Sequence, residues 1–570
     1  MRLNIRGDKV VGLIAGAIVI FLVAVPLSVL LFSSVRDTAT KLPFEDTTFT
    51  ITNYVAVFTS STTYKLLLNT VGYALGSILF GMTLGATFSW FLTRCWVPWR
   101  TFLTVCVLGA LCTPPVTDAI AWSLLASPSI GLLNAVYHAL TGTTGNGPLN
   151  IYSVPGMVFV SGLKAVPSAF ILLSGTFARL DPSLEEAALS NGATTFKTLR
   201  RVTMPLLKPA LLGAVILYSI FILEAFEIPA ILGLPGRIFV FASLIYDASH
   251  PAIGVPNYGL ISAYASIFLL LMSLLLVVYN RATRNREQYA VITGKGYRPR
   301  QTNLGGLTYV FVGLILLYFT LAVILPFLSL LWTSLGLAYR AQALGSLALA
   351  NLNGYTALLQ ADNLRRSVLN TVAVAGTAAT FTMLLASCVA WLSTRYKGAV
   401  AAAPDRLTML AFATPGIVVG LALMFFYAWL PLPIYGTIWI IVIGLSTRFL
   451  SYCTRVMSAA YLQVNKELEE ASWLSGAAAL NTVRRVVLPL VWPSFMGGWL
   501  WVFVLALRDS TIALMLFTVT NDTLGVRLWV LWFNEGKPAQ AAALAVCLAV
   551  VSAALSLGII RSSLARPQTA

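Results

Sequence analysis

The chain is poor in charge. Of its 570 residues only 10% are Asp, Glu, Lys or Arg, against 58% hydrophobic, and the mean hydropathy is +0.84. A soluble globular protein carries about 25% charge, so a single apolar core under a water-exposed surface is excluded. Histidine is almost missing, with His138 and His250 alone, which leaves no histidine metal cluster. The six cysteines (Cys95, Cys106, Cys112, Cys388, Cys453 and Cys547) lie in or beside apolar runs without CxxC or Cys/His spacing. Neither a disulfide frame nor a zinc site is indicated. No Walker-type Gly-rich loop occurs, and no nucleophile–base or His/Asp constellation suits an integral-membrane enzyme. A pI of 9.7 raises the question of nucleic acid, but the basic residues lie in short loops between apolar spans, which argues against that partner.

What is present is a series of apolar runs. A helix of ~20 apolar residues crosses a hydrocarbon layer of ~30 Å. Twelve such spans can be drawn: 10–32, 66–92, 101–126, 154–177, 211–234 and 258–279, then 307–331, 368–392, 407–430, 434–455, 495–518 and 539–560. Barrel strands would be shorter and alternating, so the expected fold is an all-α integral membrane protein. Arg2, Arg6 and Lys9 before the first run resemble a signal peptide. The run is too long for one and lacks a clean cleavage site, so it is read as a retained span. Most of the 37 Lys and Arg fall in cytoplasmic segments when the N-terminus is placed inside, which puts both termini in the cytoplasm.

The chain also repeats itself. Residues 181–209, DPSLEEAALSNGATTFKTLRRVTMPLLKP, return as 465–493, NKELEEASWLSGAAALNTVRRVVLPLVWP. At an offset of 284, Glu185, Glu186, Ala187, Gly192, Arg200, Arg201, Pro205 and Pro209 recur as Glu469, Glu470, Ala471, Gly476, Arg484, Arg485, Pro489 and Pro493. Earlier landmarks repeat at 300 or 301: Pro26 with Pro326, Asn69-Thr70-Val71 with Asn370-Thr371-Val372, and Thr113-Pro114 with Thr414-Pro415. The extra residues of the first half fit the long outer loop 127–153. Six spans per half make a parallel repeat. The expected domains are 1–280, a basic cytoplasmic linker 281–306, and 307–570.

Each polar island opens on Leu-Glu-Glu-Ala, reverses at a glycine, and meets paired arginines and a proline. Gly192 and Gly476 suit a reversal that other residues resist, and Pro205 and Pro489 are read as ending the segment before the next span. A single island would pass for an interfacial amphipathic helix. Two at fixed spacing indicate a contact surface for a partner in the water phase.

The pattern E-A-A-x-x-x-G, nine residues, I-x-L-P resembles the signature of binding-protein-dependent ABC importer permeases. The first copy reads Glu186-Ala187-Ala188, Gly192 and Val202-Thr203-Met204-Pro205. The second reads Glu470-Ala471-Ser472, Gly476 and Val486-Val487-Leu488-Pro489. Ser472 replaces the second Ala, Val twice replaces Ile, and Met204 replaces Leu. The resemblance implies that each island is a coupling helix seated on an ATP-binding subunit. It implies two such subunits, one external solute-binding protein, ATP used by the partners, and no cofactor bound by this chain in the inner membrane. One chain carrying both permease domains resembles the ferric-iron-type importers, whose relatives carry thiamine, polyamines, phosphonates and phosphorylated sugars. A secondary carrier would not need duplicated docking motifs.

Seven ionisable residues fall within the expected spans: Asp118, Lys164, Glu224, Glu227, Arg448, Arg508 and Asp509. Each costs about 2.5–3.5 kcal/mol at a helix centre and so needs a partner or a wet cavity. Lys164 and Arg448 are equivalent at 284, as are Glu224 and Arg508 with opposite sign. The expectation is that Glu224 and Arg508 pair between the halves or line a pathway, with Asp118 isolated near Pro114-Pro115. Loop 127–153 has no Lys or Arg and is either a docking platform or a simple lid.

Overall fold

The computed structural model describes residues 13–37, 44, 45, 48–251, 253–283, 302–337, 350–396, 398–430, 432–477 and 479–564. The termini and most of the basic linker lie outside the described residues. The first half holds α1 (Leu13–Ser34), α2 (Ser61–Arg94), α3 (Arg100–Leu108), α4 (Pro115–Ala126), α5 (Leu132–Thr141), α6 (Val154–Arg179), α7 (Pro182–Ser190), α8 (Met204–Glu224) and α9 (Tyr258–Thr283). The second holds α10 (Leu307–Ser334), α11 (Asp362–Arg395), α12 (Ala399–Ala413), α13 (Gly416–Trp429), α14 (Ile438–Gln463), α15 (Lys466–Leu474), α16 (Leu488–Arg508) and α17 (Pro538–Leu564). Among the described residues nine helices are long and apolar enough to cross a membrane, or up to thirteen if four bent pairs each count as a span.

The repeat is literal. α2 and α11 are both 34 residues long, α6 and α14 both 26, α7 and α15 both 9, and α8 and α16 both 21. The repeated prolines have a common local effect. Residues 20–24, 199–203, 320–324 and 483–487 each form one wide π-turn, and Pro26, Pro205, Pro326 and Pro489 follow two residues later. A proline ring clashes with the carbonyl one turn earlier and lacks an N–H. A widened turn absorbs both defects without ending the helix. Pro205 and Pro489 therefore do not end the islands as expected. The second limb of each island runs through its π-turn into α8 or α16, but the first bends by 62° at residue 209 whereas the second continues as one span.

Two expected single spans are broken. Residues 101–126 turn through 93° at Thr113-Pro114, and 407–430 turn through 108° at Thr414-Pro415. Thr113 and Thr414 are extended, with ψ of 141° and 113°, because the residue before proline avoids the helical region. The expected spans 211–234 and 495–518 also stop short, at Glu224 and Arg508, before short helices at Glu227–Gly233 and Thr511–Met515.

Packing forms two compact units that cross the repeat. One comprises 1–60, 245–273 and 361–527, and the other 61–244, 274–360 and 528–570. The halves thus exchange their first and last helices. In the first unit α1 packs on α13 and α14: Phe21 meets Phe426 edge-on at 5.7 Å, and Thr447 Oγ1 donates to Leu22 O. In the second, α10 packs on α4 and α17, with Ser329 Oγ donating to Ala121 O. The repeated asparagines take equivalent jobs. Asn69 Nδ2 donates to Phe239 O at 3.4 Å, and Asn370 Nδ2 to Asp522 O at 2.9 Å. In the loop 127–153, buried Asn134 donates to Ser127 O and Leu149 O and accepts from Leu149 N.

α2 and α6 approach closely because small residues face each other. A Cβ at Gly81 would lie 2.3 Å from Ala165 Cβ and 2.9 Å from Gly162 O. Close backbone approach through small residues is a standard way to join helices in lipid. Gly81→Val is expected to cost about 1–3 kcal/mol through overpacking, read as a lower melting temperature of the purified chain. Gly72→Ala, where a Cβ meets nothing within 4 Å, should leave it unchanged or slightly raised.

Candidate functional site

Each island is an α-helical limb, a reversal and a second limb. Asp181 caps α7 by accepting from Ser183 N, and that N–H holds the Asp181 carboxyl below its usual range. Asn465 does the same for α15 through Glu467 N. The helices end in matched Schellman motifs. Ala193 N donates to Ala188 O and Ala477 N to Ser472 O, while Gly192 and Gly476 stand at φ of +78° and +84°. That region costs an L-residue roughly 1–2 kcal/mol, which is why glycine occupies both positions.

The expected site residues lie on these limbs. Glu186 is half-buried and Glu470 exposed. Ala187, Gly192, Pro205, Ala471, Gly476 and Pro489 are also exposed, and Ala188 and Ser472 are half-buried. The structure adds a contact that the sequence reading missed: the glutamate before each motif faces inward and is held by an arginine. Arg395, the last residue of α11, places Nε and Nη2 each 2.7 Å from Glu469 Oε1, and Nη2 donates to Val464 O. Arg94, the last residue of α2, lies 3.9 Å from Glu185 Oε2 and donates through Nη2 to Leu180 O at 2.6 Å. Thr203 Oγ1 completes this first anchor by donating to Glu185 Oε1 at 2.7 Å. The signal was available, since Arg94 and Arg395 share the offset of Asn69 and Asn370.

The charges within the spans sort differently from expectation. Asp118 is not isolated. It is buried, and its Oδ2 lies 2.5 Å from Lys164 Nζ. Lys164 also donates to Ala110 O at 2.6 Å and reaches Thr113 O and Oγ1. The helix break at Thr113-Pro114 frees those carbonyls, and the ammonium satisfies them. In the second half Arg448 pairs with Asp509, beside Gly416, where a Cβ would sit 3.1 Å from Arg448 Nη1. Equivalent cations thus lie beside equivalent bends, but their acids come from different places: position 419, the counterpart of Asp118, is Val419, and position 225, the counterpart of Asp509, is Ala225. Asp509 Oδ1 also accepts from Ile512 N and so starts the short helix after α16. Glu224 and Arg508 each end a helix at the same point of the repeat, and Glu227 opens the short helix after α8. Among the described residues no three His, Cys, Asp or Glu side chains come together as a metal site.

Residues 382–566 match the family model for the binding-protein-dependent transport system inner membrane component. The chain is 30% identical over 420 residues to a ferric transport system permease protein, FbpB, of Actinobacillus pleuropneumoniae, covering 71% of this chain and 58% of that one. It is 28% identical over 422 residues to a putative ferric transport system permease protein of Haemophilus influenzae, covering 73% and 64%. The chain thus spans about three fifths of the length of these two relatives. A probable ABC transporter permease of Sinorhizobium fredii is 25% identical over 491 residues, 81% of each chain. A chain of a solved bacterial ABC transporter that imports alginate aligns with 46% of this chain and 96% of its own at 17% identity, with a TM-score of 0.34, too low an overlap to carry an inference.

Removing one partner of a buried ion pair leaves the other uncompensated and costs about 3–5 kcal/mol. Asp118→Asn is expected to lower the melting temperature of the purified chain accordingly, and Asp118→Leu with Lys164→Met to recover part of the loss. Equal melting of wild type and Asp118→Asn would show that the pair adds nothing.

Proposed function

We propose, from the match of residues 382–566 to the binding-protein-dependent transport system inner membrane component, that the chain is the permease of an ATP-driven ABC importer, with both permease domains on one chain. The observation that carries this reading is the pair of matched islands. Each is a capped helix, a glycine reversal and a second limb that leads into a long apolar helix, through a 62° bend in the first island and as one span in the second. Such an island can receive a push at one end and pass it to a membrane span at the other.

In this reading each island is cytoplasmic and docks on one ATP-binding subunit. Glu186, Ala187, Ala188, Gly192 and Pro205 form the first contact, and Glu470, Ala471, Ser472, Gly476 and Pro489 the second. ATP binding closes the two subunits and draws the islands together. The spans then rock between inward-facing and outward-facing states, and hydrolysis resets them. A loaded solute-binding protein meets the outer face, where the uncharged loop 127–153 offers exposed Val136, Tyr137 and Leu140. Glu224, Glu227 and Arg508, at or beside the helix breaks, serve the path. The cargo proposed is ferric iron, supported by the two relatives named as ferric permeases. The chain supplies the path, and the binding protein supplies selectivity.

Two experiments test this. Purification of the tagged chain from its native membrane should bring down a P-loop ATPase and a soluble binding protein, and recovery of neither would refute the importer reading. Gly192→Pro with Gly476→Pro forces φ near −65° where +78° and +84° stand. Uptake should fall to background while the chain still inserts in the membrane, and normal uptake would refute the coupling role of the islands.

A further inference from the structure

The two anchors are built on one plan but do not match in detail. In the second, Arg395 contacts Glu469 through two nitrogens at 2.7 Å, and Ser472 and Thr482 share a hydrogen bond of 2.9 Å between their hydroxyls. The first island has Ala188 where the second has Ser472, and Thr198 where the second has Thr482. Thr198 therefore loses the partner that Thr482 has. Its Oγ1 is buried and has no hydrogen-bond partner among the described residues, and the same holds for Arg94 Nε. The Arg94–Glu185 separation is 3.9 Å. Arg94, Glu185, Thr198 and Thr203, with Trp90 and Thr302, line a cavity of about 20 Å³. A cavity needs about 10–15 Å³ and two to four polar partners to hold one water.

We infer that the two anchors are mechanically unequal: a single buried water bridges Arg94, Glu185 and Thr198 in the first, whereas direct contacts lock the second. Arg94 and Arg395 are thereby positioning residues, which act through Glu185 and Glu469 to fix each island against the end of α2 or α11. A water-bridged anchor exchanges partners locally and yields. A direct ion pair joined by a hydroxyl bond holds. Two differences set the anchors apart: Ala188 against Ser472, which removes the hydroxyl partner of Thr198, and Thr203 against Val487, which gives Glu185 a hydroxyl that Glu469 lacks. The inequality concerns the chain alone, while its consequence for transport rests on the importer reading.

Amide hydrogen exchange of the purified chain in its full complex tests the inequality. Island amides 188–198 should exchange faster than 472–482, by about fivefold, the size of one net hydrogen bond. Ala188→Ser should slow the first island by about that factor and leave the second unchanged, and Ser472→Ala should speed the second. Equal exchange in the two islands, or no response to Ala188→Ser, overturns the inference. ATP hydrolysed per solute imported tests the consequence: Arg395→Lys should raise that ratio more than Arg94→Lys, and equal rises overturn the mechanical inequality. Absence of any copurifying ATPase would instead refute the importer reading and leave the exchange result standing.

Discussion

A cation set at a broken helix organises each half of this protein. Proline makes the break, because the threonine before it is driven out of the helical region and the ring supplies no donor. Carbonyls exposed inside a lipid layer need donors. Lys164 meets that need in the first half by reaching Ala110 O and Thr113 O. The ammonium then needs a counter-charge, which Asp118 gives. In the second half the same position carries Arg448, its acid is Asp509, and Gly416 keeps room for the guanidinium. The bend, the cation and the acid thus lie together in each half, and removing the cation or the acid leaves its partner uncompensated.

The relocation of the acid shows how a duplicated fold tolerates change. What both halves keep is neutrality at the bend, not a particular pair of positions. The same holds at the islands. Both keep a buried arginine–glutamate anchor, a capped first limb and a glycine at positive φ. They differ in the hydroxyl beside Thr198 and Thr482 and in Thr203 against Val487, and those differences alter how each anchor closes. Two copies of one motif can therefore meet similar partners with different stiffness.

Much was legible in the chain. The charge deficit and the run lengths fixed a multi-span helical fold, since only helices satisfy their own backbone in lipid. The offset of 284 located both islands, and their glycines were read as reversals from residue type alone. Breaks at Glu224 and Arg508 were hidden because hydropathy continues across them. The bends at Thr113 and Thr414 were visible as repeated Thr-Pro pairs, yet a span-length window counts apolar residues and ignores geometry.

What the sequence determined by itself is everything local or periodic: helix existence, caps, reversals, and the pairing of equivalent positions by offset. What only the tertiary structure decided is partnership. Asp118 joined Lys164 across 46 residues and Arg395 joined Glu469 across 74, and the halves exchanged α1 and α10 in packing. No spacing encodes such contacts, because a buried charge requires only an opposite charge nearby in space, and several positions along the chain can supply it.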